Sequence, residues 1–125
     1  MITGATILIV EDEAIVALDI KNRLGRMGYR VPAIALTGEE ALAFTDHIQP
    51  DLIIMDIGLN GVMDGIQAAE QILSRFAVPI IFMTAYSDIN TKQSLERLSP
   101  LAFLTKPFEA KELLETVQLA LGSER

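Results

Sequence analysis

The chain has 125 residues, half of them hydrophobic, with no cysteine and a formal net charge of −7. That length suits one domain with room for a core, and the composition is too apolar for a disordered chain. The acidic balance argues against nucleic acid as a partner, the lack of thiols excludes disulfides and thiolate metal sites, and no apolar run approaches the ~18 residues of a membrane span.

Residues 5–10 read as a first strand, ending in the apolar run Ile7-Leu8-Ile9-Val10. Residues 13–27 carry Val16, Ala17, Ile20, Leu24 and Met27 at the period of an amphipathic helix, and Gly28 is placed to end it. Residues 29–36 read as a second strand, put at a sheet edge because Pro32 cannot donate to a ladder. Thr37-Gly38-Glu39-Glu40 is a capping-box pattern opening a short helix to about His47. Leu52-Ile53-Ile54-Met55 reads as a third strand, 58–65 as a glycine-spaced loop, and 66–76 as a third helix. Ile80-Ile81-Phe82-Met83 is a fourth strand. Ser87-Asp88 then caps a weaker fourth helix to about Leu98. Residues 101–105 are a fifth strand and 109–121 a last helix, with Leu113, Val117 and Leu121 on one face and Gly122 after it. Alternating strands and helices of this kind imply a parallel sheet covered on both faces. The expected organisation is a single domain over residues 1–125, with no output domain. Met1-Ile2-Thr3-Gly4 has no signal-peptide character, so a cytoplasmic location is expected.

The ends of the strands carry chemistry. Glu11-Asp12 follow the first strand, Asp56 the third, Thr84 the fourth and Lys106-Pro107 the fifth. In an open parallel sheet these positions converge on one edge, where such folds bind ligands. Asp can form covalent phosphoryl intermediates, and Mg²⁺ takes carboxylate oxygens together with phosphate oxygens and water. Lys106 can pair with phosphoryl oxygens as a point charge, and the Thr84 hydroxyl can bond one of them. Taken singly, each residue also has an ordinary reading. Asp12 or Glu13 can cap the first helix, Asp56 can be a loop-facing acid, and Thr84 can be a plain strand-end threonine. Lys106 is more specific, because the residue before a proline is held extended and Pro107 is a candidate for a cis bond. The ordered set, each member after its own strand, favours the phosphoryl site.

The runs Ile7 to Glu13, Pro50 to Asp56, Met63-Asp64-Gly65, Val78 to Ala85 and Phe103 to Phe108 together resemble the receiver domains of two-component response regulators. The resemblance covers about the whole chain. It implies a flavodoxin-like, doubly wound (βα)5 fold with sheet order 2-1-3-4-5. It implies that Asp56 takes a phosphoryl group from a histidine kinase or phosphotransfer domain. It further implies Mg²⁺ held by Asp12, Asp56 and the backbone carbonyl of Gly58, with Glu11 acting through water. Thr84 and Lys106 would contact the phosphoryl group, and Phe103 would be the rotating aromatic of the switch. The output surface would be the face of the fourth helix, fifth strand and fifth helix, where a downstream protein or, after phosphorylation, a second copy binds.

The chain departs from the family pattern in three places. The loop after Asp56 lacks the usual Met-Pro pair and is one residue longer, with Leu59 in the Met position. The switch aromatic is Phe103 rather than Tyr and so has no hydroxyl. The two positions that tune phosphoryl lifetime are Gly58, which has no side chain to orient water, and Tyr86, which can shield the site. On the first helix, Ile15 and Leu18 fall roughly opposite Ile20 at about 100° per residue. They are either scattered surface apolars or a docking patch for a kinase's helical phosphotransfer domain. An Asp-nucleophile, metal-dependent phosphatase is the enzyme alternative. Its haloacid-dehalogenase form needs an acid two residues after the nucleophile, where this chain has Gly58. A flavin-binding relative of the fold would need a phosphate cradle where Glu11-Asp12 would repel one.

Overall fold

The computed structural model describes residues 4–85 and 102–122. Five strands, β1 (Ile7–Val10), β2 (Ile34–Ala35), β3 (Leu52–Asp56), β4 (Ile80–Ala85) and β5 (Ala102–Lys106), form one sheet of order β2-β1-β3-β4-β5. Every neighbouring pair is parallel, as the resemblance implied. The helices among the described residues are α1 (Ala14–Arg26), α2 (Gly38–Ile48), α3 (Gly65–Leu73) and α4 (Ala110–Leu121). The helix expected to follow Ser87-Asp88 and run to about Leu98 lies outside the described residues, as does Tyr86. The sequence's fifth helix is thus α4.

The strands are near-continuous apolar runs because both of their faces are covered. Side chains alternate between the two faces. Ile7, Ile9, Leu52, Ile54, Ile81, Met83 and Leu104 pack with Ala17, Ile20 and Leu24 of α1 and Leu113 and Val117 of α4. Leu8, Val10, Ile53, Met55, Ile80 and Phe82 pack with Ala41 of α2 and Ala68, Ala69 and Ile72 of α3. Two cores therefore sandwich one sheet.

Several expected boundaries move, for local reasons. The edge strand is two residues long rather than spanning 29–36. Tyr29 N–H instead bonds the Leu24 carbonyl at 3.1 Å, and Gly28 N–H bonds that of Gly25 at 3.1 Å. With Gly28 at φ +96° this is a Schellman end to α1, and it uses the start of the expected strand. A lone bridge between Thr6 and Arg30 remains, and Pro32 then interrupts the pairing. The N-cap of α2 is Thr37, whose hydroxyl accepts Glu40 N–H at 3.0 Å. The reciprocal bond goes elsewhere: Glu40 Oε1 accepts Leu36 N–H at 2.8 Å, one residue before the cap. α3 starts at Gly65 behind a reciprocal capping box. There Asp64 accepts Gln67 N–H at 2.8 Å and Gln67 accepts Asp64 N–H at 3.0 Å. It ends at Leu73, short of the expected Phe76.

Candidate functional site

Sheet order changes direction at β1, with β2 on one side and β3 on the other. The crevice beyond the C-terminal ends of β1 and β3 is the place where this kind of sheet binds ligands. Glu11 and Asp12 leave β1 there, and Asp56 and Lys106 are the last residues of β3 and β5. Asp56 has the parity of Leu52 and Ile54, and Lys106 that of Leu104, so both sit on the α1–α4 face. Thr84 has the parity of Ile80 and Phe82, and Phe103 packs with that second cluster. Asp56 and the amine thus lie on one face, and the hydroxyl and the ring on the other.

Carboxylate oxygens of Glu11, Asp12 and Asp56 lie within 4.8 Å of one another. Lys106 Nζ donates to Glu11 Oε1 at 2.6 Å and to Asp56 Oδ2 at 3.3 Å. The other Asp56 oxygen, Oδ1, accepts Gly58 N–H at 2.9 Å. A side chain added at Gly58 would begin 3.5 Å from that oxygen, so position 58 sits directly over Asp56. Glu11 Oε2 accepts Glu13 N–H at 3.0 Å. Asp12 Oδ2 accepts two bonds from Asn60, one from its backbone N–H at 3.1 Å and one from Nδ2 at 2.9 Å. The helix-cap reading of these acids does not hold: Glu13 is the N-cap of α1 but makes no side-chain capping bond, and the Asp12 carboxylate reaches to Asn60. Thr84 is fully buried, and its hydroxyl donates to the Ala85 carbonyl at 3.1 Å. Phe103 is half-buried, its ring centroid 6.2 Å from that of Phe82, its register partner. The Lys106-Pro107 peptide bond is cis.

Three carboxylates face one ammonium here, and Glu11 has no exposed surface. Burial pushes the Glu11 carboxyl up to about 7, against the opposing pull of the Lys106 and Glu13 hydrogen bonds. Burial works against the Lys106 charge as well. The Glu11 hydrogen bond and the charges of Asp56 and Glu11 outweigh it and leave the amine above its ordinary value. The cluster therefore carries more negative charge than its amine balances, and its hard oxygen donors fit a divalent cation such as Mg²⁺.

A pH dependence follows. Glu11 titrates higher in the folded chain than its ordinary 4.5, so its contribution to stability is fully present below about pH 4.5. That contribution is lost as pH rises through about 7. In chelator, urea midpoints should show this falling component between those values, and Glu11→Gln should remove it. An identical pH profile in the variant would mean that the buried carboxyl is not its source.

Sequence reasoning missed two contributors. Asn60 is 48 positions from Asp12, and no spacing pattern announces their pairing. Gly65 falls in a run that carries the family resemblance and at the end of the expected loop, but neither reading gives the reason a glycine is needed there. A Cβ there would lie 2.3 Å from the Asp56 carbonyl oxygen and 2.6 Å from Ile57 Cα. The Asp64 and Gln67 spacing was the available signal that a capped helix begins at this point. Of the docking residues, Ile15 is 86% exposed and Leu18 51%, whereas Ile20 is buried. A groove of about 240 Å³ runs between α1 and the end of β5, lined by Val16, Asp19, Arg23, Pro107 and Phe108 among others; neither Ile15 nor Leu18 lines it.

The model of the response regulator receiver domain matches residues 7–118. The chain belongs to that family. The transcriptional regulatory protein PdtaR of Mycobacterium tuberculosis is 34% identical over 95% of this chain and 58% of its own length. The phyllosphere-induced regulator PhyR of Methylorubrum extorquens is 34% identical over 92% of this chain and 43% of its own. This receiver domain spans about half the length of the curated relatives it matches. Among solved structures, the signal receiver domain of a modulated diguanylate cyclase from Desulfovibrio desulfuricans superposes with a TM-score of 0.89. It shares 32% identity over 97% of this chain and 96% of its own. The N-terminal domain of a response regulator/sensory box/GGDEF protein from Carboxydothermus hydrogenoformans gives 0.86 at 36% identity, over 95% of each chain. Among the described residues, no helix of this chain is long and apolar enough to cross a membrane.

Proposed function

We propose that Asp56 accepts a phosphoryl group from the phosphohistidine of a histidine kinase or phosphotransfer domain, in the cytoplasm, and that the phosphorylated state is read on the face built around β5 and α4. The observation that most supports this is the Lys106 ammonium set between Glu11 and Asp56, beside three clustered carboxylates. In the transfer, an Asp56 oxygen forms a bond to phosphorus while the phosphorus–nitrogen bond breaks. The departing imidazole keeps the electron pair and takes up a proton. The chemistry is mainly positioning and charge neutralisation. The Gly58 N–H fixes one Asp56 oxygen, and Lys106 offers its charge to the incoming group. Asp12, Asp56, the Gly58 carbonyl and, through water, Glu11 would hold Mg²⁺, which supplies further neutralisation of the phosphoryl oxygens when bound. The chain acts only on itself, catalysing the phosphorylation of its own Asp56 and the hydrolysis of the resulting aspartyl phosphate. Ile15 and Leu18, exposed on α1, would receive the helical donor.

The output follows from which contacts only the phosphorylated state offers. Once a phosphoryl oxygen is present, the Thr84 hydroxyl can exchange the Ala85 carbonyl for it. Thr84 and Phe103 share a sheet face, so the space that Thr84 leaves opens beside the ring. Burying a phenylalanine side chain is favourable by roughly 1.5–3 kcal/mol. Phe103 has no hydroxyl to desolvate on the way in. The face that changes includes α4, where Leu119 is 69% exposed, and there an effector or a second copy would bind. In NMR spectra taken with and without beryllofluoride and Mg²⁺, shifts should reach Phe103, Thr105 and α4. Shifts confined to residues lining the cleft would mean that Thr84 and Phe103 do not act as a switch.

A further inference from the structure

The β3–α3 loop is pinned at three points, one of them a member of the acidic cluster. Asn60 places both of its donors on Asp12 Oδ2, at 3.1 and 2.9 Å. Gly61 follows at φ +113°, a conformation that side-chain-bearing residues rarely adopt. Beyond it, Met63 lies over the start of α2, with side-chain atoms 3.0 to 3.1 Å from where a Cβ at Gly38 would be. Asp64 then closes the capping box of α3.

The clamp depends on the departures in this loop. A proline after Leu59 would offer neither a backbone N–H nor a side-chain donor, whereas Asn60 offers both. Asp12 is partly exposed, unlike Glu11 and Asp56, and would otherwise be free to rotate. Asn60 bonds Asp12 Oδ2 twice, and one oxygen of the same carboxylate lies within 4.8 Å of carboxylate oxygens of Glu11 and Asp56.

We infer that Asn60 is a positioning residue that holds the Asp12 carboxylate oriented for a divalent cation and couples the β3–α3 loop to occupancy of that site. The inference rests on the metal-assisted phosphoacceptor reading given above. Groups that orient a ligating side chain typically contribute 10- to 100-fold to metal affinity. Asn60→Ala removes the Nδ2 donor and keeps the backbone one, so the lower end of that range applies.

The test is Mg²⁺ titration of the full chain by calorimetry, with Mn²⁺ broadening of NMR signals as a second readout. Asn60→Ala should bind about tenfold more weakly while its melting temperature stays near that of the parent chain. Val62→Ala, one position past Gly61 and 91% exposed in the parent, should bind as the parent does. The Asn60 side-chain amide should be among the first signals that Mn²⁺ broadens in the parent chain, a result that general loop softening would not produce. Parent-like or tighter Mg²⁺ binding by Asn60→Ala, or equal weakening in Val62→Ala, would overturn the assignment to Asn60. Failure of the parent chain to bind Mg²⁺ would instead overturn the metal-assisted reading, and this inference with it.

Discussion

Asp56→Asn should lose phosphoryl incorporation from acetyl phosphate down to background while keeping its fold. An amide is a poor nucleophile, so the bond to phosphorus cannot form at that position. The fold should survive because the shorter contact of Lys106 is to Glu11, at 2.6 Å, and that pair remains. The side chain that changes is also nearly isosteric with the one it replaces. Incorporation would be followed by intact mass, and folding by thermal melts with and without Mg²⁺. Stoichiometric labelling of the variant would place the acceptor on another residue.

The second large effect concerns a residue without a side chain. Gly65→Ala would put a methyl group 2.3 Å from the Asp56 carbonyl oxygen and 2.6 Å from Ile57 Cα. Both neighbours are backbone, so no rotamer change relieves the overlap. Either the start of α3 or the end of β3 must move. Overpacking of this kind costs about 3 kcal/mol, which corresponds to a melting-temperature loss on the order of 10 °C for a domain of this size. Phosphorylation of the fraction still folded should fall as well, because the displaced backbone belongs to Asp56, the proposed phosphoacceptor. Gly25→Ala in α1 is the control, since a Cβ there meets nothing within 4 Å. It should leave stability unchanged or raise it by up to ~1 kcal/mol, reflecting helix propensity. Equal melting temperatures for the two variants would mean that close packing of α3 on β3 does not set the position of Asp56.

What could be read in advance from this sequence was local or periodic. Four-residue apolar runs marked the strands because a parallel sheet is buried on both sides, and the residues just after them marked the edge where the site forms. Thr37 and Gly28 were legible as helix ends because capping is a short-range matter of donors and backbone angles. The placement of Thr84 with Phe103 and of Asp56 with Lys106 also follows from strand alternation, once register is known.

What could not be read depends on tertiary approach. Asn60 meets Asp12 across 48 positions through a loop in which Gly61 takes a positive φ. The need for glycine at 65 arises from a neighbouring strand's backbone, not from its own segment. The expected second strand failed because two local signals competed: the Schellman end at Gly28 took the Tyr29 N–H that a longer ladder would have needed. Glu40 matched a capping-box pattern, yet its carboxylate reached past Thr37 to Leu36 N–H.

The cleft at the ends of β1, β3 and β5 should carry a phosphoryl group on Asp56. Borohydride reduces an aspartyl phosphate to homoserine, so the most direct measurement is to treat the chain with acetyl phosphate, trap it with borohydride and map its peptides by mass. Homoserine should replace Asp56 alone, in samples containing Mg²⁺ and not in those containing chelator. Homoserine at Asp12, Asp51 or Asp64 instead, or the same yield at Asp56 in chelator, would contradict the account.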